Sequence, residues 1–334
     1  MTLKSYLGYR IERSMPRTLA LTLFAVIISQ VVIRGEIRDS AEVSHTGLYI
    51  LAVILGAACA LVPMFELSAL SRRRSLDLLF SFPVSRFRLA LAHALSGWVQ
   101  ILIIYTVPFF LAWTVYIQIP GWFKLGYLLP YYFLSLLIGL CMYAVFLFLF
   151  GEGNTWLDGI LFCGLGIFVL AIVVSTLLDC IGWSAYDRFN PFSWFTVYSP
   201  INNLTVVYQW LMHHMRDSNY DARLAEKVME YSYLFAIWAV LGVAALYGYF
   251  HRVMHKRAET AGGVSNSLFG YRMLIPIYGY CYLFSSANEP VLLVLVAVAF
   301  VAGYFLYRRS FRLHASDLAV LACGVIPILA GTLV

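Results

Sequence analysis

The stretch Glu66–Arg88, ELSALSRRRSLDLLFSFPVSRFR, decides how the rest of the chain is read. It lies between two long apolar runs and carries Arg72, Arg73, Arg74, Arg86 and Arg88. A cation at the middle of a bilayer costs about 2.5–3.5 kcal/mol, so five this close form a loop at a membrane surface. The bias of Lys and Arg toward the inner side puts that loop in the cytoplasm. Leu76, Leu79 and Phe80 recur at helical spacing, which predicts a short amphipathic helix over residues 68–81. Phe82-Pro83 ends it, because the residue before a proline is pushed out of the α region. Such a helix either lies on anionic lipid or protrudes to dock into a partner, and composition alone does not separate the two.

Working outward, the 334 residues are 62% hydrophobic and only 12% charged. An ordinary soluble domain is about one quarter charged, and a soluble chain of this length has no interior large enough for so much apolar surface. The fold class is therefore an all-α polytopic membrane protein. The apolar runs are continuous rather than alternating, which excludes a β-barrel. The cysteines Cys59, Cys141, Cys163, Cys180, Cys281 and Cys323 are widely spaced without a Cys-x-x-Cys pair. They read as buried thiols, not as a disulfide frame or a metal site.

Residues 1–17 mix aliphatic and aromatic positions with Lys4, Arg10, Arg13 and Arg17. They fit an interfacial helix that Pro16 breaks before the first span. No short apolar core with an Ala-x-Ala site follows, so no cleavable signal peptide is expected, and the N-terminus is expected in the cytoplasm. Spans are expected at about 18–34, 47–66, 90–117, 127–150, 156–179 and 233–251. Pro63 and Pro108 are expected kink sites. The interval 180–232 should be external. Within it, residues 189–211 are too broken by Pro191 and Pro200 for a span and too apolar for a free loop, and read as interfacial or re-entrant helices. Residues 220–232 read as a polar helix leading into the sixth span. After the basic run 251–257, residues 261–334 hold further apolar runs at about 271–287, 290–307 and 316–334. Most of the 23 Lys and Arg then fall on the inside.

Chemistry-bearing motifs are sparse. The sequence has no Gly-x-x-x-x-Gly-Lys-Ser/Thr loop, no Gly-x-Gly-x-x-Gly and no His-Glu-x-x-His. No catalytic, cofactor or metal residues are assigned, and no nucleic-acid partner is expected. His93 reads as an interfacial histidine, and Asp158 and Asp179 as boundary carboxylates. His213 and Asp217 share a helical face but lack a third zinc ligand. Tyr105, Trp113 and Tyr116 fit either a translocation path or a lipid-facing stripe.

The segment Arg74-Ser75-Leu76-Asp77-Leu78-Leu79-Phe80-Ser81-Phe82-Pro83-Val84-Ser85-Arg86 resembles the coupling segment of type-2 ABC exporter permeases. That family typically reads Gly-Thr-Leu-Asp/Glu-x-Leu-Leu-Ser-x-Pro-Val/Ile-Ser-Arg between its second and third spans. Arg74-Ser75 stands in place of Gly-Thr, and Phe82 where Leu is common. Arg257-Ala258-Glu259-Thr260-Ala261-Gly262 and Arg309-Ser310-Phe311-Arg312 are similar to segments of a Gram-positive branch of the family, and Tyr198-Ser199-Pro200 to the element before its last core span. The resemblance implies an elbow helix over 1–17, a permease core over 18–260 with a coupling helix over 67–88, and added C-terminal helices. It implies that Arg74, Leu76, Asp77, Leu78, Leu79, Phe82, Pro83 and Arg86 couple to an ABC-type ATPase on a separate chain. That partner would carry the ATP and Mg, and a second permease subunit, identical or related, would complete the transporter. The implied activity is export of an amphipathic cargo across the plasma membrane. Two other classes stay open at this point: an ABC-like sensing or immunity subunit without bulk transport, and an intramembrane lipid-modifying enzyme.

Overall fold

A computed structural model describes residues 3–39, 46–81, 84–117, 128–164 and 222–263, with scattered positions at 166 and between 265 and 315. The described residues are mostly helical, with no strand among them. The elements are α1 (Leu3–Asp39), α2 (Thr46–Glu66), a 3-10 turn (Ser68–Ser71), α3 (Arg73–Ser81), α4 (Arg86–Tyr116), α5 (Leu128–Glu152) and α6 (Ala222–His255). A second 3-10 turn, Ala258–Thr260, follows α6, and residues 156–164 are helical between α5 and α6. Five helices, α1, α2, α4, α5 and α6, are long and apolar enough to cross a membrane.

The ends of these helices follow from local chemistry. The Ser85 side chain accepts from the Arg88 backbone N–H at 3.4 Å and caps α4. Thr155 and Asp158 form a reciprocal capping box at the start of the 156–164 segment. Thr155 Oγ1 accepts from Asp158 N at 3.0 Å, and Asp158 Oδ2 accepts from Thr155 N at 3.3 Å. Asp158 is thus a cap, and its other oxygen accepts from the Tyr271 hydroxyl at 2.6 Å. Buried hydroxyls of Ser14, Thr18 and Thr22 return to carbonyls of their own helix, which satisfies them without a partner helix.

One expectation fails at Pro16. The helix runs through it, so α1 is continuous from Leu3 to Asp39 rather than an elbow and a separate span. A proline costs a helix one backbone hydrogen bond. Here the proline immediately precedes Arg17, whose side chain is tied into the bundle, and the packing of α1 on α4 and α2 holds the axis. At 37 residues α1 spans about 55 Å, well beyond a hydrocarbon core of about 30 Å. The polar helix expected at 220–232 is, from Ala222, the first part of α6 itself. The re-entrant reading of 189–211, the rest of the fifth span and most of 261–334 lie outside the described residues.

At the centre, α4 packs against α1, α2 and α6, and α5 against α2 and α6. Gly242 lets α6 approach α5 closely: a Cβ there would meet the Cys141 Cα at 2.9 Å. Tyr105, Trp113 and Tyr116 are buried, and Tyr105 stacks on Tyr132 of α5 with ring centroids 6.2 Å apart. They are core residues of this chain, not a lipid-facing stripe.

Candidate functional site

The starts of α1 and α4 and the ends of α2, α5 and α6 gather at one end of the bundle, and α3 sits there. Two buried polar brackets lie at this end, and α3 contacts the 3-10 turns that follow α2 and α6. The first centres on Glu66, the last residue of α2, which is 1% exposed. Its Oε1 accepts from Arg17 at 2.8 Å and from Gln100 at 2.7 Å. Its Oε2 pairs with Arg10, which also donates to the Glu66 carbonyl at 3.1 Å. Arg17 bridges on to Gln100 Oε1 at 2.8 Å and lies 4.9 Å above the Phe65 ring. The fully buried His93 completes the bracket: its Nδ1 lies 3.0 Å from Arg10 Nη2, and its Nε2 lies 3.4 Å from the Tyr6 hydroxyl. The same Nδ1 lies 3.1 Å from the Glu66 carbonyl, so the ring touches both the Arg10 guanidinium and the last carbonyl of α2. Every described oxygen of Glu66 is taken by a donor on α1 or α4. The arrangement is a clamp of α1, α2 and α4.

The second bracket joins α5, α6 and the chain after α6. Glu152 Oε2 pairs with Arg252 Nε at 3.4 Å and accepts from the Ser267 hydroxyl. Ser265 Oγ donates to the Glu152 carbonyl at 2.8 Å. Lys256 Nζ donates to the Gly153 carbonyl at 2.9 Å, beside the end of α5, where a cation favours the helix dipole. Gly262 N donates to the Asn154 carbonyl at 3.0 Å with φ of 84°, a left-handed conformation that favours glycine. Burial pushes the Lys256 ammonium down to about 8, with the Arg252 charge acting in the same direction.

Between these brackets, α3 presents a divided surface. Leu76 is 0% exposed and anchors the helix against its own chain, while Leu78 is 62% exposed. Arg74 and Asp77 are exposed beside Leu78. Leu79 belongs to α3 by its backbone, and Phe82 and Pro83 lie outside the described residues. Arg86 donates to the carbonyls of Met254 at 3.0 Å and Lys256 at 3.2 Å, and so ties the start of α4 to the end of α6. The structure therefore brings Arg74, Asp77 and Leu78 to one outward surface and gives Leu76 an inward, structural place.

Sequence reasoning missed the Glu66 bracket. Arg10 and Arg17 read only as markers of the inner side, and His93 as an interfacial residue. The available signal was Glu66 at the end of one apolar run and Gln100 inside the next, two groups that apolar surroundings oblige to find partners. His93 and Asp158 do not converge: each has its own partners in a different part of the bundle. The described residues hold no group of three or more His, Cys, Asp or Glu placed to bind a metal ion. Comparison of the chain with protein-family models, with curated proteins and with solved structures gives no match.

Proposed function

We propose that this chain is the membrane-spanning subunit of an ATP-driven ABC-type exporter, and that α3 is the helix through which a separate ATPase moves it. One observation carries the reading. A short helix between two candidate spans is anchored by the buried Leu76 and turns Arg74, Asp77 and Leu78 outward. An amphipathic helix lying on lipid has no need of a mixed acid, base and leucine surface, whereas a protein groove reads such a surface well. The brackets supply the other half of the mechanism. The 3-10 turn Ser68–Ser71 joins α3 to Glu66, and α3 lies against the 3-10 turn Ala258–Thr260 that follows α6. A push on α3 is then passed to α1, α2 and α4 through Glu66, and toward α6 through the second turn. Closure of two ATPases would move these helices together, with a second permease subunit forming the other wall of the path and an amphipathic molecule as cargo.

The test is co-purification. The chain is expressed with a candidate ABC-type ATPase, extracted in mild detergent and pulled down. Stoichiometric ATPase with the wild type, lost with Asp77→Arg and with Leu78→Glu, supports the reading. Full ATPase recovery with both variants overturns it.

A further inference from the structure

We propose that the groove between α1, the end of α2 and α3 binds an anionic glycerophospholipid, its phosphate among the arginines of α1 and an acyl chain along the outer face of the same helix. The groove has a volume of about 450 Å³, within the range of small-ligand sites. Arg10, Arg13 and Arg17 line one wall, and Ser68, Ser75 and Leu78 line the other. The groove is lined by three arginines and one acidic residue, Glu66, whose carboxylate is already held by Arg10, Arg17 and Gln100. The charge left over is positive, and the Arg10 and Arg17 side chains keep 16% and 31% exposure. Arg13, held to Tyr9 by a 3.1 Å bond, is exposed at the mouth.

What points to a lipid rather than to a free anion is the continuation of the groove. On α1 the positions Ala20, Phe24, Ile27 and Val31 follow Arg17 at three- and four-residue steps, so they extend the same strip of helix. Phe24 is 63% exposed, Ile27 52% and Val31 67%. Phe24 lies about 10 Å along the axis from Arg17. The strip passes from cationic to apolar in the order of a lipid in one leaflet, phosphate first and acyl chain beyond. A soluble phosphate would fill the first part and leave the second bare. Since Ser75 and Leu78 belong to α3, an occupied groove touches that helix directly. The inference stands whether or not α3 docks an ATPase.

The experiment is a lipid titration of the full detergent-purified chain by native mass spectrometry, comparing phosphatidylglycerol with phosphatidylcholine of the same acyl chains. Phosphatidylglycerol should bind more tightly, and Arg13→Gln should weaken it about tenfold, as loss of one charge-assisted hydrogen bond implies. Arg88→Gln removes the same charge from an exposed site outside the groove and should leave binding unchanged. Phe24→Ser should weaken lipid binding while millimolar inorganic phosphate displaces none of it. Equal weakening by Arg13→Gln and Arg88→Gln would reduce the effect to general charge and overturn the site. Displacement by inorganic phosphate, or indifference to Phe24→Ser, would overturn the lipid assignment.

Discussion

Arg17 on α1 donates to Glu66 Oε1 at 2.8 Å across 49 residues of sequence, and its guanidinium also reaches Gln100 on α4. One side chain thus joins three helices at the end of the bundle that carries α3. Removing one member of a buried ion pair leaves the other uncompensated and costs about 3–5 kcal/mol. Arg17 is 31% exposed and Arg10 16%, so water recovers part of that loss. Glu66→Gln should therefore destabilise the detergent-solubilised chain by on the order of 3 kcal/mol. The double variant Arg17→Gln/Glu66→Gln should lose less than the sum of the single losses. Additive thermal shifts would mean that the pair does not act as a unit.

The two leucines of α3 should separate folding from docking. Leu76→Ala empties a fully buried site and should cost about 2–5 kcal/mol. Leu78→Glu changes an exposed position and should stay within about 0.5 kcal/mol of the wild type. Thermal unfolding of both proteins checks this. A Leu78→Glu protein as unstable as Leu76→Ala would mean that Leu78 is covered in the folded protein.

What the sequence made legible follows from where the physics is local. The continuous apolar runs and the arginines of 72–88 located α2, α4 and α5 to within a few residues, because hydrocarbon excludes charge regardless of tertiary context. The α3 helix was legible from the spacing of Leu76, Leu79 and Phe80. The surface Leu76 faces was not, since its burial depends on α3 folding back onto its own chain. The continuity of α1 through Pro16 was hidden for a similar reason: packing of α1 on α4 outweighs a local propensity. The Glu66 bracket depends on contacts such as Arg10 to His93, 83 residues apart, which no local pattern encodes.

Two glycines should respond to the same substitution with opposite sign. Gly8 is an exposed α1 residue with nothing within 4 Å of an added Cβ. Gly8→Ala should stabilise by about 0.5–1 kcal/mol, because alanine gives up less backbone freedom in a helix. At Gly242 the added Cβ would strike the backbone of Cys141 at 2.9 Å, so α5 and α6 must move apart. Gly242→Ala should cost about 1–3 kcal/mol as overpacking. Thermal midpoints that rise for both variants would show that α5 and α6 do not meet at Gly242.

Lys256 sets a pH dependence of definite sign. It is 4% exposed, donates to the Gly153 carbonyl, and is held down to about 8 first by burial and then by Arg252, against Glu152 and Asp158. In the unfolded chain an ordinary lysine keeps its proton until about 10.4. Below pH 8 both states carry the proton, and the folded state bears the full cost of the buried cation. Between about 8 and 10.4 the unfolded state binds more protons, so this group adds stability as pH rises. The gain approaches about 3 kcal/mol across that window. Lys256→Met removes the titrating group and should flatten this part of the curve, although it forfeits the bond to Gly153. The measurement is the difference in thermal midpoint between wild type and Lys256→Met from pH 7 to 10. A difference that moves in favour of the wild type as pH rises supports the buried ammonium. A constant difference would mean that Lys256 reaches water in the folded chain.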